Sequence, residues 1–484
     1  MFNLVYMKIQ NVRKGAGDFS QKVNMSISSR KPIALFLLAI TLLLCSFWAI
    51  PSKLLPFHRN LLIYGAFVFS LLLFFKDRRF LQNLDTGKIK NVLVILGIMT
   101  VVTLSCALLF SPHLHDTMRA WHSQWMRPLM LFVYGLVFYS IMAFNFPNLS
   151  YKKLITAIIL SFWAPIFLHI LTIAYIYFKS GVIMWGETYI FPSRLELSFQ
   201  INLISIIIFS DLLLRILENR RLLTLNTGVV VALIFSNVIA TGLANTRWGT
   251  VGMIFGILSI SLVFIIRKIH AINLWKLSLY SLLIICTVVS VGLFSYEKDP
   301  RWKSIKEDVE IGWNAPSNSF CFIFNSPERV VPLHADGTPV SHSNACRIAY
   351  VHQATEFIVE HPLGIGTSKT AFLQRLHEKY HNPLIDISHS HSGLLEYGLQ
   401  YGVLGMLLWI IYNLMIFKIS IRAFFKENKT VGVVLLLLSS GFFFRSMVDR
   451  ILLDHYMEEY MFLSGLLLGI IAYKPVPSTK TANG

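Results

Sequence analysis

Twelve apolar runs, each about long enough to cross the roughly 30 Å hydrocarbon core of a bilayer, constrain this chain more than any other feature. They fall at 33–50, 60–75, 91–111, 128–145, 154–178, 197–214, 222–243, 249–266, 277–294, 393–417, 431–445 and 459–473. A backbone in hydrocarbon must satisfy its own N–H and C=O groups, and runs of this length do so as helices. Of the 484 residues, 55% are hydrophobic and only 14% charged, more apolar surface than one water-soluble core can hide. The expected fold is an all-α polytopic membrane protein of about 12 transmembrane helices.

The formal charge of +18 would suggest a nucleic-acid partner if the basic residues were massed in one region. They recur instead in short blocks between apolar runs, the pattern that sets membrane orientation, so no nucleic acid is expected. Lys8, Arg13, Lys14, Lys22, Arg30 and Lys31 precede the first run, and Lys76, Arg78, Arg79, Lys88 and Lys90 follow the second. Arg215, Arg220, Arg221, Arg267, Lys268, Lys418, Arg422, Lys426 and Lys429 fill later connections of the same parity. Those connections are expected on the cytoplasmic side, with both termini. The first run lacks a small-residue cleavage site and reads as a span rather than a signal peptide.

The expected organisation is a cytoplasmic segment at 1–32, helices one to nine over 33–294, a large outer loop at 295–390, helices ten to twelve over 391–473, and a cytoplasmic tail at 474–484. By parity the loop is expected on the far side of the membrane, which is the periplasm if the cell is Gram-negative. Within it, Tyr350, Val351, Ala354, Phe357 and Ile358 recur at helical spacing after Ser343 and Asn344 until His361-Pro362. Phe372, Leu373, Leu376 and Tyr380 predict a second amphipathic helix, and both are expected to lie on the membrane domain as a lid. A shorter outer segment, 113–127, sets Trp121 and Trp125 one turn apart, which suits the membrane interface. Cys45, Cys106 and Cys286 fall in spans as small apolar fillers, whereas Cys321 and Cys346 share the outer loop, where an oxidising compartment would let them pair.

Candidate chemistry gathers at the outer ends of the spans. His389 and His391 stand at the mouth of the tenth run, and an imidazole there suits proton transfer from an acceptor hydroxyl. A structural histidine pair is one competing reading; with His377, His381 and Asp386 nearby a metal site is another, but no cysteine pair or HExxH frame supports it, and no metal or other cofactor is expected. Arg247 sits in the tight outer turn before the eighth run, where the alternatives are a snorkelling headgroup contact and a ligand for an anion. Arg347 reads as a first-turn residue of the loop helix; there a guanidinium and free backbone N–H groups would suit a phosphate, and a surface salt bridge to Glu328 or Asp336 is the alternative. Asp449, with Arg445, Arg450 and Asp454, reads as an ion-pair cluster or as a group orienting His391 or an arginine. Gly364 and Gly366 read as the stop of the preceding helix, and Gly398, Gly402 and Gly405 as close helix packing.

Three of these elements together resemble the O-antigen ligase and polymerase superfamily. They are Asn245-Thr246-Arg247 opening a span, the helix from Cys346-Arg347 running into Pro362-Leu363-Gly364-Ile365-Gly366, and His389-Ser390-His391-Ser392 followed by Leu395, Glu396, Gly402 and Gly405. Ser392 stands where that family commonly has Asn. The resemblance implies a multi-pass glycosyltransferase of the bacterial inner membrane, its site facing the periplasm, with an undecaprenyl-diphosphate-linked O-antigen donor, a lipid A–core acceptor and surrounding membrane lipid. It implies His391 as the essential histidine and Arg247 and Arg347 as the essential arginines, with His389 and Asp449 in support. An O-antigen polymerase shares the donor chemistry, and a lipid-glycan transporter is the reading from a different class. Transporters usually set charges near the bilayer midplane in repeated halves; here the charges lie at one face and no repeat is evident.

Overall fold

The computed structural model describes residues 30–50, 58–110, 113–268, 304–315, 320–323 and 329–474, with isolated positions between 275 and 297; the side chains of Arg247, Trp248 and Lys268 are not among them. Most of the described residues are helical, joined by turns and irregular segments, with no strand among them. The helices are α1 (Lys31–Phe47), α2 (His58–Lys76), α3 (Thr86–Leu109), α4 (Leu114–Trp121), α5 (Arg127–Asn145), α6 (Tyr151–Ser180), α7 (Arg194–Glu218), α8 (Thr227–Ala244) and α9 (Arg247–Lys268). They continue with α10 (Ile305–Trp313), α11 (His342–Glu360), α12 (Ala371–Tyr380), α13 (Gly393–Ile421), α14 (Thr430–Val448) and α15 (Asp454–Ala472).

Nine helices among the described residues are long and apolar enough to cross a membrane, rather than twelve. The runs at 33–50 and 459–473 are helices α1 and α15, but α1 has only 17 residues, and α15 carries Glu458 and Glu459 in its second turn. The run at 277–294 lies outside the described residues, apart from single positions. Local chemistry sets the ends: Ser150 accepts from Lys153 N, Ser193 from Leu195 N and Asn226 from Val229 N. Gly181, Asn219 and Asn245 take left-handed conformations at the C-caps.

Helix α15 runs through the interior and lies directly on α5. A Cβ on Gly465 or Gly469 would strike the carbonyl of Phe132 or Leu136, so these backbones touch without side chains between them, as small residues allow in lipid. The carboxylate of Glu458, fully buried, is met by Arg127 Nη2 at 3.1 Å and Arg59 Nε at 3.5 Å. That pairing lets α15 begin five residues before the predicted apolar run.

Trp121 and Trp125 face the protein interior rather than its surface. Helix α4 passes through a π turn, His122–Met126, straight into α5, and both indoles are buried, donating to Thr103 Oγ1 (3.1 Å) and Thr100 Oγ1 (3.0 Å) of α3. A buried indole N–H takes a partner where one is available, and α3 supplies it.

The loop segment has its own core of Phe322, Tyr350, Phe357, Phe372, Leu376 and Ile385, which Leu399 of α13 joins. Cys321 and Cys346 are bonded within it, Cα to Cα 4.9 Å. Buried Asp308 of α10 holds the start of α11, accepting from Ser341 N (3.0 Å) and Asn344 Nδ2 (2.8 Å). Helix α11 therefore starts at His342 with Ser341 as its cap residue, and Arg347 falls in the second turn, not the first. The Asn344 and Ala345 amides already donate to Ser341 O, so the expected pairing of Arg347 with free N–H groups is corrected.

Helix α13 is broken at Gly402, where φ is 70° and ψ −175°. Residues 362–366 lie along the break: Ile365 N donates to Leu399 O (3.0 Å), Gly366 N to Gln400 O (3.2 Å) and Val403 N to Pro362 O (2.9 Å). Gly402 therefore serves a latch between loop and span, not the helix-to-helix packing its spacing suggested.

Candidate active site

The chain enters α13 through a fixed turn. Ser392 is the N-cap, its hydroxyl accepting from Leu395 N at 3.3 Å, so it performs a hydrogen-bonding role in the place where Asn is common. Glu396, buried in the first turn, reaches back to accept from Ser390 N at 2.6 Å, and Gly393 N donates to Asp449 O at 3.0 Å. His391 itself has φ of 59°, uncommon for a residue with a side chain and frequent at functional sites.

This turn sets the rings of His389 and His391 together, centroids 4.3 Å apart. Ser388 Oγ lies 2.8 Å from His389 Nδ1. Tyr350 of α11 stacks on His391 with centroids 5.6 Å apart and planes 15° apart, while its hydroxyl donates to Cys321 O. Arg347 is three residues before Tyr350, on the same face of α11. That spacing carries its charge to the histidines.

The electrostatics follow from this juxtaposition. Burial pushes the His391 pKa down to about 3, helped by His389, Arg347, His342 and Arg450. His389 is lowered to about 4 by burial, then by Arg450 and Arg347. Burial raises Asp449, against the pull of Arg445 and Arg347; Arg445 Nε pairs with it at 3.1 Å. His389, His391, Arg347 and Asp449 thus share one environment. The surrounding charge is positive, which suits an anion and not a metal ion beside the imidazoles.

Arg247 opens α9 after the left-handed Asn245, and its side chain lies outside the described residues. Its backbone position is bounded by neighbours: Gly249 sits against Ser198 of α7, and Arg445 Nη2 reaches the Ser198 hydroxyl at 3.4 Å. The start of α9 therefore adjoins the Arg445–Asp449 pair.

Sequence reasoning passed over two groups here. Arg450, read only as part of an anchoring cluster, acts on both histidines. Tyr350 was read as an apolar helix position, although its spacing from Arg347 was a usable sign. Residues 229–410 match the family model described as O-antigen ligase, and no curated protein matches the chain. The matched segment contains Arg247, Arg347, His389 and His391, and over these residues the chain is similar to the O-antigen ligase family.

Proposed function

We propose that the protein transfers O-polysaccharide from undecaprenyl diphosphate to a sugar hydroxyl of lipid A–core, at the periplasmic face of the bacterial inner membrane. The observation that carries this reading is a buried imidazole pair held beside arginines at the N-terminal mouth of α13. The donor diphosphate binds beside Arg347 and Arg450, with Arg247 a further contact. As the acceptor oxygen attacks C1 from the opposite face, the C1–O bond breaks and its electron pair leaves with the diphosphate. Guanidinium groups offset that charge without a metal. The acceptor proton passes to His391, and the anomeric centre inverts. His389 and Tyr350 keep the ring in place, and Asp449 fixes Arg445.

A His391 with a pKa of about 3 is neutral at physiological pH but a weak base. Burial is the main cause of that low value and the neighbouring charges add to it; a bound diphosphate offsets the arginine contribution and raises the basicity of His391 where transfer occurs. The activated donor supplies the free energy, so no nucleotide is needed. The proposal includes the expected division of the chain, with 295–390 as a periplasmic loop that carries Arg347 and with 1–32 and 474–484 on the cytoplasmic side.

The test is reconstitution with undecaprenyl-diphosphate glycan and rough lipopolysaccharide, without metal or nucleotide. Product on lipopolysaccharide supports the ligase, whereas lengthened polyprenyl glycan would make the protein a polymerase. His391→Ala is expected to cut transfer by about 10²–10⁴-fold while the protein remains folded in the membrane. Near-normal transfer by that variant removes His391 from the mechanism.

A further inference from the structure

Beside the imidazole pair, on the same face, lies a cavity of about 780 Å³ that the proposed transfer step does not use. Arg450 stands between the two. Its guanidinium donates to Lys369 O in the cavity wall, and its charge bears on His389 and His391. The wall comes from the starts of α2, α5 and α15, from α4, and from residues 365–370. It carries Arg59, Arg119, Arg127 and Lys369 against Asp116 and Asp454.

The arrangement of the charges matters more than their number. Arg127 is a fixed floor, with Nη1 on Asn60 Oδ1 at 2.5 Å and Nη2 on Glu458 Oε1 at 3.1 Å. Glu458 also holds Arg59 at 3.5 Å, and it is fully buried behind both guanidinium groups. Asp454 is bridged by Lys369 at 3.1 Å and Arg127 at 3.7 Å. The deeper carboxylates are thus engaged from the protein side. Arg119 is exposed and has no ion-pair partner among the described residues. Planar guanidinium forks and a lysine around a polar space of this size suit phosphoryl oxygens, and the volume admits the phosphorylated sugar bearing them.

We infer that this cavity binds phosphoryl groups of the acceptor glycolipid, so that donor and acceptor occupy opposite sides of Arg450. This rests on the ligase reading for the identity of the ligand. The phosphoryl chemistry itself could come from an acceptor phosphomonoester or from the phosphodiester headgroup of bulk anionic lipid.

Equilibrium binding separates these sources and needs no turnover. The full chain in nanodiscs of zwitterionic lipid is titrated with labelled rough lipopolysaccharide carrying its core phosphates, and with the same material chemically stripped of phosphate. The stripped form is expected to bind at least about tenfold more weakly. Arg119→Gln, at an exposed position, and Lys369→Gln are expected to weaken the intact form and leave the stripped form unchanged. Equal affinity for the two forms, or intact binding untouched by both variants, overturns the assignment. Displacement by phosphatidylglycerol at the same concentration as by intact lipopolysaccharide overturns it in favour of a lipid-headgroup site. If reconstituted transfer proceeds while binding ignores phosphate, this inference falls alone; if phosphate-dependent binding holds without transfer, the ligase reading falls instead.

Discussion

Replacing Gly402 by alanine tests how the loop is fastened to the span. Its φ of 70° with ψ near 180° is a region that residues with a Cβ rarely occupy, at a cost of about 1–3 kcal/mol. The added Cβ would also strike the Pro362 carbonyl and lie 2.6 Å from Leu363 C and 2.9 Å from Gly364 N. These are backbone atoms, which cannot swing aside as a flexible side chain would, and overpacking of this kind costs about 1–3 kcal/mol more. The alternative is to expel residues 362–366. That breaks the bonds at Ile365 N, Gly366 N and Val403 N, each worth about 0.5–1.5 kcal/mol. Either route costs about 2 kcal/mol or more. Thermal unfolding in detergent, followed by intrinsic fluorescence, measures it against Gly97→Ala. A Cβ at Gly97 meets nothing within 4 Å, and Ala there is expected to be neutral or to stabilise α3 by up to about 1 kcal/mol. Transfer activity should fall with Gly402→Ala, because the latch joins the end of α11 to the helix that begins beside His391. Identical melting of Gly402→Ala, Gly97→Ala and the parent protein would refute the latch.

Arg347→Lys keeps the charge but loses the planar fork; transfer is expected to drop severely with unchanged thermal stability, and full activity would reduce Arg347 to surface charge. Because His391 titrates at about 3 in the free protein, its basic form persists from neutrality down to that pH. The profile of kcat/KM should therefore show no acid limb from this group between pH 5 and 8, and a limb near 6.5 that disappears in His391→Ala would contradict the burial argument. Cys346→Ser opens a link between positions 25 residues apart, worth about 3–4 kcal/mol on the chain-entropy account. Limited proteolysis should then cut the segment around 321 faster, and unchanged protection would show that the buried contacts of Tyr350 suffice.

The apolar runs were legible because hydrophobic length is a local property, and every run that falls among described residues is a helix. What the sequence hid depends on partners distant along the chain. Trp121 and Trp125 look surface-facing until Thr103 and Thr100 are seen to receive their N–H groups. The break at Gly402 leaves no mark in hydropathy, since Val403 and Leu404 continue the apolar run; its cause is the backbone of 362–366, some 40 residues earlier. Arg347 was placed one turn too early because Ser343 and Asn344 look like caps, and only the buried Asp308 shows that Asn344 is committed elsewhere. The histidine pair was visible as a motif, whereas the action of Arg450 on it arises from the junction of α14 and α15 folding back on α13.

The disposition of the carboxylates gives this site a particular character. In a hydrolase-type triad an aspartate beside the imidazole stabilises its protonated form. Here Glu396 is committed to Ser390 N and Asp449 to Arg445. The groups acting on His389 and His391 are arginines and other histidines. Such a pocket strongly disfavours imidazolium until a negative charge arrives. Under the proposed mechanism, the anion that arrives is the donor's own diphosphate, and it gains charge as C1–O cleavage proceeds. Proton uptake by His391 and charge development on the leaving group then favour each other through the same guanidinium groups, so an acceptor hydroxyl is activated mainly when a donor is present. An unprotonated, weakly basic histidine in the empty site also does little to activate water.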